Sequence, residues 1–260
     1  MIKITDLKIL SSRSSKPRLD IEKLSFKKSK INVILGANGA GKSSLLEVLS
    51  RNLEDYQGQV LIEDKSIESL SLADDAKKVS YIPQRIDWNM DLTVREIILF
   101  SLYPYLKSGT ILEADEFRFD RICKELEIEA FLDYPLGSLS GGEQKRVAVA
   151  SALFQNTKFL IMDEPFAALD PIFKKIVANV LKKWQSEYDC TLVLTIHDLF
   201  LANTFGDYFW GIKEGELVEE TSRVNQTFFN NVYGTRFLPF EYQSQTVFLP
   251  DFELDIHERS

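Results

Sequence analysis

The chain has 260 residues, 45% of them hydrophobic, which is enough to bury one large core or two small ones and excludes a disordered chain. A net charge of -8 disfavours binding to nucleic acid or anionic lipid, because an acidic surface gains nothing from counterion release. Its apolar runs are far shorter than the ~20 residues that a membrane-spanning helix needs, and the first ten residues alternate charged and apolar types, unlike a signal peptide. Cys123 and Cys190 show no metal-like spacing and read as unpaired thiols in a reducing compartment. The expectation is a soluble, cytoplasmic chain that reaches a membrane only through a partner.

In chain order, residues 2–10 and 20–26 read as strands around a polar loop at 11–18. Residues 30–35 form an apolar run that ends on a glycine, and 42–51 turn helical. Val79–Ile82 reads as a strand. From 92 to 131 the pattern is helical, with Val94, Ile97, Ile98 and Leu102 near one face. A helix at 143–154, a strand at Phe159–Met162, a helix at 173–188 and a strand at 191–196 follow. This alternation predicts an α/β core with a mostly parallel sheet, preceded by an antiparallel N-terminal β part. The helices between 92 and 136 break the alternation, so an all-helical subdomain, about 86–138, is expected as an insertion into a domain spanning 1–219. Residues 220–260, rich in Phe and Tyr, are expected to form a small β extension packed on that core.

Gly36-Ala37-Asn38-Gly39-Ala40-Gly41-Lys42-Ser43 matches G-x-x-x-x-G-K-S/T. Alone, such a match also fits a glycine-rich turn. Its place between an apolar strand and a helix favours a phosphate loop, in which main-chain N–H groups and the positive helix end face an anion. Lys42 would bridge β- and γ-phosphates, Ser43 would ligate Mg²⁺, and the nucleotide-binding set runs on through Ser44. Phe159-Leu160-Ile161-Met162 delivers Asp163 and Glu164 to the carboxyl end of a strand, where open α/β sheets bind ligands. Asp163 suits a metal ligand and Glu164 a general base. By itself this pair also fits a solvated strand end.

Leu139-Ser140-Gly141-Gly142-Glu143-Gln144 reads as a second anion-binding helix start, with exposed N–H groups and the Ser140 hydroxyl. One nucleotide cannot easily use both nests of a single copy. The segment is identical to the signature of ABC ATPases, and residues 36–43 resemble their Walker A loop. Further segments between residues 2 and 219 resemble the family in order. Tyr81-Ile82-Pro83-Gln84 resembles the Q-loop, Asp163-Glu164-Pro165 the Walker B strand with its glutamate, Ala168-Leu169-Asp170 the D-loop and Thr195-Ile196-His197-Asp198 the switch. The resemblance implies a P-loop NTPase (RecA-like) fold, ATP and Mg²⁺ as cofactors, and a head-to-tail dimer, of two copies or of this chain with a paired ATPase subunit, that sandwiches two ATP. It implies that Gln84 senses the metal and the attacking water, His197 contacts the γ-phosphate, and Asp170 crosses to the partner's site. His257, in the acidic tail, is read as carrying no function.

Leu92-Thr93-Val94-Arg95-Glu96-Ile97 and Tyr103-Pro104-Tyr105 resemble ATPases of importers for iron–siderophore complexes, haem and cobalamin, with Ser101-Leu102 where those often have Gly-Arg. His197-Asp198-Leu199 with Leu201-Ala202, and Val232-Tyr233-Gly234 with Phe248-Leu249-Pro250, are similar to the same group, although Phe200 replaces its usual polar residue. Together they favour this subclass; the competing reading is simple packing, with an amphipathic helix and an aromatic core. The family's adenine-stacking aromatic residue is missing from 11–18, leaving Lys16 or Arg18 as cation–π candidates. The resemblance implies permease subunits as partners, a periplasmic or extracellular binding protein engaged indirectly, and a place at the cytoplasmic membrane face. An exporter ATPase is the alternative. Soluble ABC ATPases of DNA or ribosome processes carry coiled-coil insertions or two fused domains, and neither occurs here.

Overall fold

The computed structural model describes residues 1–10, 16–85, 91–105, 113–242 and 245–251. His257 and residues 11–15 of the first loop lie outside them. The elements are β1 (Ile2–Ile9), β2 (Leu19–Ser25), β3 (Ile31–Leu35), α1 (Lys42–Leu49), β4 (Gln57–Ile62), β5 (Lys65–Ser66), α2 (Leu72–Ala76), β6 (Val79–Ile82), α3 (Val94–Phe100) and α4 (Glu113–Glu125). There follow α5 (Gly141–Phe154), β7 (Phe159–Met162), α6 (Pro171–Tyr188), β8 (Thr191–Thr195), α7 (Leu199–Phe205), β9 (Tyr208–Lys213), β10 (Glu216–Thr221), α8 (Gln226–Tyr233), β11 (Phe237–Tyr242) and β12 (Gln245–Pro250).

The central sheet has the order β10-β9-β3-β8-β7-β6. All its pairings are parallel except β10 with β9. Strands β3, β7 and β8 are buried at every position, as both-faced parallel strands must be. A second, antiparallel sheet, β2-β1-β4-β5, packs its alternate apolar residues, including Ile2, Ile4, Leu7 and Ile21, against α1 and the outer face of the central sheet. Among the described residues no helix is long and apolar enough to cross a membrane.

Between β6 and β7 the described chain holds α3, α4, α5 and short 3-10 turns, pinned by one bridge between Thr93 and Pro135. A capping box starts α3, with Thr93 and Glu96 satisfying each other's backbone N–H. Val94, Ile97, Ile98, Phe119 and Ile122 bury into the core that also holds α5 and α6. Cys123 and Cys190 are free and buried, and burial pushes both thiols up to about 12.

The end of the chain differs from the expected β extension. Residue 219 lies inside β10, so a boundary there would cut a strand. A helix, α8, comes next, capped by the Asn225 side chain, and only then the β11–β12 hairpin. Phe228, Phe229, Val232 and Phe237 belong to the main core cluster. The aromatic content masked a helical spacing, because residues 228, 229 and 232 share one helix face. Strands β4, β5, β9 and β10 and helices α2 and α7 were likewise not read from the sequence.

Candidate active site

Four neighbouring parallel strands, β3, β8, β7 and β6, end at one edge of the sheet. Gly36 follows β3, Asp163 and Glu164 follow β7, Gln84 lies just beyond β6, and His197 just beyond β8. Topology alone therefore gathers these residues at the carboxyl edge, where open α/β sheets bind ligands.

The loop from Gly36 wraps the first turn of α1. A Cβ at Gly36 would sit 2.2 Å from the Ile212 carbonyl oxygen, so β9 admits only glycine here. Gly41 caps α1 with φ +102, in the left-handed region. Lys42 is 7% exposed, and its Nζ donates to the Gly36 and Ala37 carbonyls at 2.7 and 3.0 Å. Burial pushes its pKa down, opposed by the charges of Glu164 and Asp163. The Ser44 hydroxyl is buried with no hydrogen-bond partner. Such an orphan is costly unless a ligand supplies the missing bond. A cleft of about 220 Å³ lies over the loop, lined by residues 38–44 with Arg18, Gln84, Glu164 and His197. Burial pushes the phenol of Tyr233, in α8, up to about 12, opposed by a hydrogen bond from the Gly36 backbone.

The acidic pair is held by Thr195, a side chain that sequence reasoning quoted only as part of a segment. Its hydroxyl donates to Asp163 Oδ1 at 2.6 Å and accepts the Glu164 N–H at 2.9 Å. Asp163 is buried, and Glu164 sits at φ +51, unusual for a residue with a side chain. Glu164 Oε1 accepts from Gln84 Nε2 at 2.8 Å and meets His197 Nε2 at 2.6 Å. Its side chain is only 15% exposed. Thr195→Val should cost about 1–3 kcal/mol, because it strands a buried carboxylate oxygen and a backbone donor together. Urea unfolding checks this, and an unchanged midpoint would show that the hydroxyl holds neither group.

The signature segment stands apart, with none of residues 139–144 lining the cleft. Ser140 and Glu143 form a capping box, so α5 begins at Gly141, two residues before the expected start. The Glu143 carboxylate accepts both the Ser140 hydroxyl and N–H, which holds its pKa below the usual range. Gln144 donates to the Leu136 and Leu139 carbonyls. A Cβ at Gly142 would lie 3.0 Å from the Ala168 carbonyl oxygen, so the segment packs on Ala168 and Leu169 of its own chain. Asp170 caps α6, accepting from the Ile172 and Phe173 N–H groups. Of the two adenine candidates, Arg18 lines the cleft and Lys16 pairs with Glu214 at 2.6 Å.

A protein-family model described as ABC transporter matches residues 19–167. The chain belongs to the ABC transporter family. It is an ATP-binding subunit of this family, and its activity is ATP hydrolysis. The petrobactin import ATP-binding protein YclP of Bacillus subtilis is 31% identical over 202 residues, 78% of this chain and 80% of that protein. The iron(3+)-hydroxamate import ATP-binding protein FhuC of the same organism is 31% identical over 76% of this chain and 74% of its own. Among solved structures, the dimeric post-hydrolysis state of the ATP-binding cassette MJ0796 bound to ADP and Pi superposes with a TM-score of 0.78 at 26% identity. That match covers 86% of this chain and 100% of the other. The cassette fold thus carries a nucleotide site in a relative of the same architecture.

Proposed function

We propose that this chain drives an importer for an iron complex, haem or cobalamin, and that it hydrolyses MgATP in a site completed by a second copy or a paired ATPase subunit. The observation that carries the catalytic part is Glu164, whose carboxylate is held between Gln84 and His197 at the mouth of the phosphate loop. A carboxylate fixed there can take the proton of an attacking water, while His197 supports the γ-phosphate. Lys42 exchanges its two loop carbonyls for phosphate oxygens, and the orphaned Ser44 hydroxyl gains a partner.

Ser43, Gln84 and Asp163 are the residues that would hold Mg²⁺. The described residues contain no group of three or more His, Cys, Asp or Glu that could hold a metal alone. That donor set suits Mg²⁺, which keeps waters and takes oxygens from substrate phosphates. The ion these residues would hold would supply positive charge to offset the negative charge of the phosphates.

The separation of residues 139–144 from their own cleft supports the two-copy site, because the signature helix start then remains for another copy's nucleotide. Asp170, at the start of α6, would cross to the same neighbour. The described part of the helical insertion moves with this closure, while α8 and the β11–β12 hairpin brace the core. An exposed aromatic step on the insertion, Phe100 stacked on Tyr103, supports docking of a permease there, since each ring is about two-thirds exposed. Docking places the chain at the cytoplasmic membrane face, with any extracellular or periplasmic binding protein engaged through the permease. The names of the siderophore and hydroxamate relatives support the substrate class. Co-purification with a permease, followed by ATP-driven uptake into vesicles of iron chelates, haem or cobalamin, tests it. Uptake of one of them is expected, and uptake of none, or export, overturns the importer reading.

A further inference from the structure

We infer that Lys145 is a positioning residue for hydrolysis, which holds the backbone at Pro83 and Gln84 and so sets the Gln84 side chain against Glu164. This rests on the roles proposed above for Gln84 and Glu164, and adds a side chain that none of the motifs singled out by its own chemistry. Lys145 lies in the first turns of α5, one residue past the signature, and is 7% exposed. Its Nζ donates to the Pro83 carbonyl at 3.4 Å and to the Gln84 carbonyl at 3.3 Å. Both carbonyls belong to the stretch where the chain leaves β6 for the helical insertion.

Burying an ammonium without a close carboxylate is expensive. The described ion pairs include none for Lys145 (its nearest charge compensation is the field of Asp163 and Glu164, which opposes the fall in pKa that burial causes). The two carbonyl bonds offset part of that cost. A chain of contacts runs from Lys145 to the carbonyls of residues 83 and 84, from the Gln84 amide to Glu164, and from Glu164 to His197. Lys145 shares α5 with Gly141 and Gly142, which the shared site proposed above would present to the neighbouring copy. A shift of α5 on closure therefore reaches this chain's own carboxylate through Gln84.

Two variants, measured as steady-state ATP hydrolysis with thermal unfolding as a check on folding, test the inference. Lys145→Met keeps the stem and removes the donor. It should lower kcat about tenfold with KM for ATP within about twofold, since misplacing a catalytic group slows chemistry without weakening ground-state binding. Lys145→Gln restores a donor and should recover kcat to within about threefold of wild type. Wild-type kcat in Lys145→Met, a loss matched by a rise in KM, or a Lys145→Gln variant as slow as Lys145→Met overturns the inference. If Lys145→Met does not fold, Lys145→Gln carries the test: near-wild-type kcat supports the inference and a slow enzyme with unchanged KM overturns it. Glu164→Gln in the same assay separates the claims. Lost turnover there beside wild-type kcat in Lys145→Met removes only the role of Lys145, whereas retained turnover in Glu164→Gln removes the parent reading and this inference with it.

Discussion

Glu164→Gln is expected to lower steady-state ATP turnover by about 10²- to 10⁴-fold, the range for loss of a general base. The amide keeps the size of the carboxylate and can still meet Gln84 and His197, so the site's shape survives. What disappears is the capacity to take a proton from water. Nucleotide binding rests on the phosphate loop, where Lys42 keeps both of its carbonyl bonds and loses only one of the two carboxylate charges that oppose the effect of its burial. Affinity for ATP should therefore stay within about threefold of wild type while hydrolysis collapses, the signature of an interaction made only in the transition state. Phosphate release measured beside equilibrium nucleotide binding checks both halves. Turnover near the wild-type rate would remove Glu164 from the chemistry.

Lys42→Ala should act on binding instead. A hydrogen bond to a charged group contributes about 1.5–3 kcal/mol, so ATP affinity should fall by about 10- to 150-fold. The lower part of that range is the better expectation. The ammonium already bonds the Gly36 and Ala37 carbonyls, and both bonds would be given up to a phosphate. Burial acts in the opposite sense, since it lowers the pKa of Lys42 and an incoming phosphate stabilises a charge that the protein alone holds at a cost, which keeps the expected loss from falling below this range. Titration with a fluorescent ATP analogue reads the effect, and unchanged affinity would place the phosphates elsewhere.

The parts of the site that were legible in the sequence are local. Strand, glycine loop and helix follow one another within residues 31–49, and Asp163 and Glu164 directly follow the buried run of β7. Helix α5 was expected from residue 143 and begins at Gly141, because Ser140 and Glu143 close a capping box that the reading of this segment as an anion-binding helix start did not include. Non-local contacts were not legible. Thr195 gains its role only by reaching Asp163 and Glu164 across two parallel strands, and Lys145 by meeting carbonyls some sixty positions earlier. Helix α8 was obscured because Phe228 and Phe229 read as aromatic content before they read, with Val232, as a periodic face. Strand β9 holds Trp210 and Gly211 together, and the glycine weakens a strand reading. In the fold that glycine leaves room for Val232, whose Cγ2 would lie 2.2 Å from an added Cβ.

The two nests, one at residues 36–43 and one at 139–144, are the feature that most strongly shapes the proposed mechanism. If each serves a different copy, ATP that is bound but not hydrolysed should join two chains. Sedimentation of Glu164→Gln with and without MgATP measures this directly. Monomer without nucleotide and dimer at saturating ATP is the predicted result. A Glu164→Gln chain that binds ATP fully yet sediments as a monomer would contradict a site shared between copies.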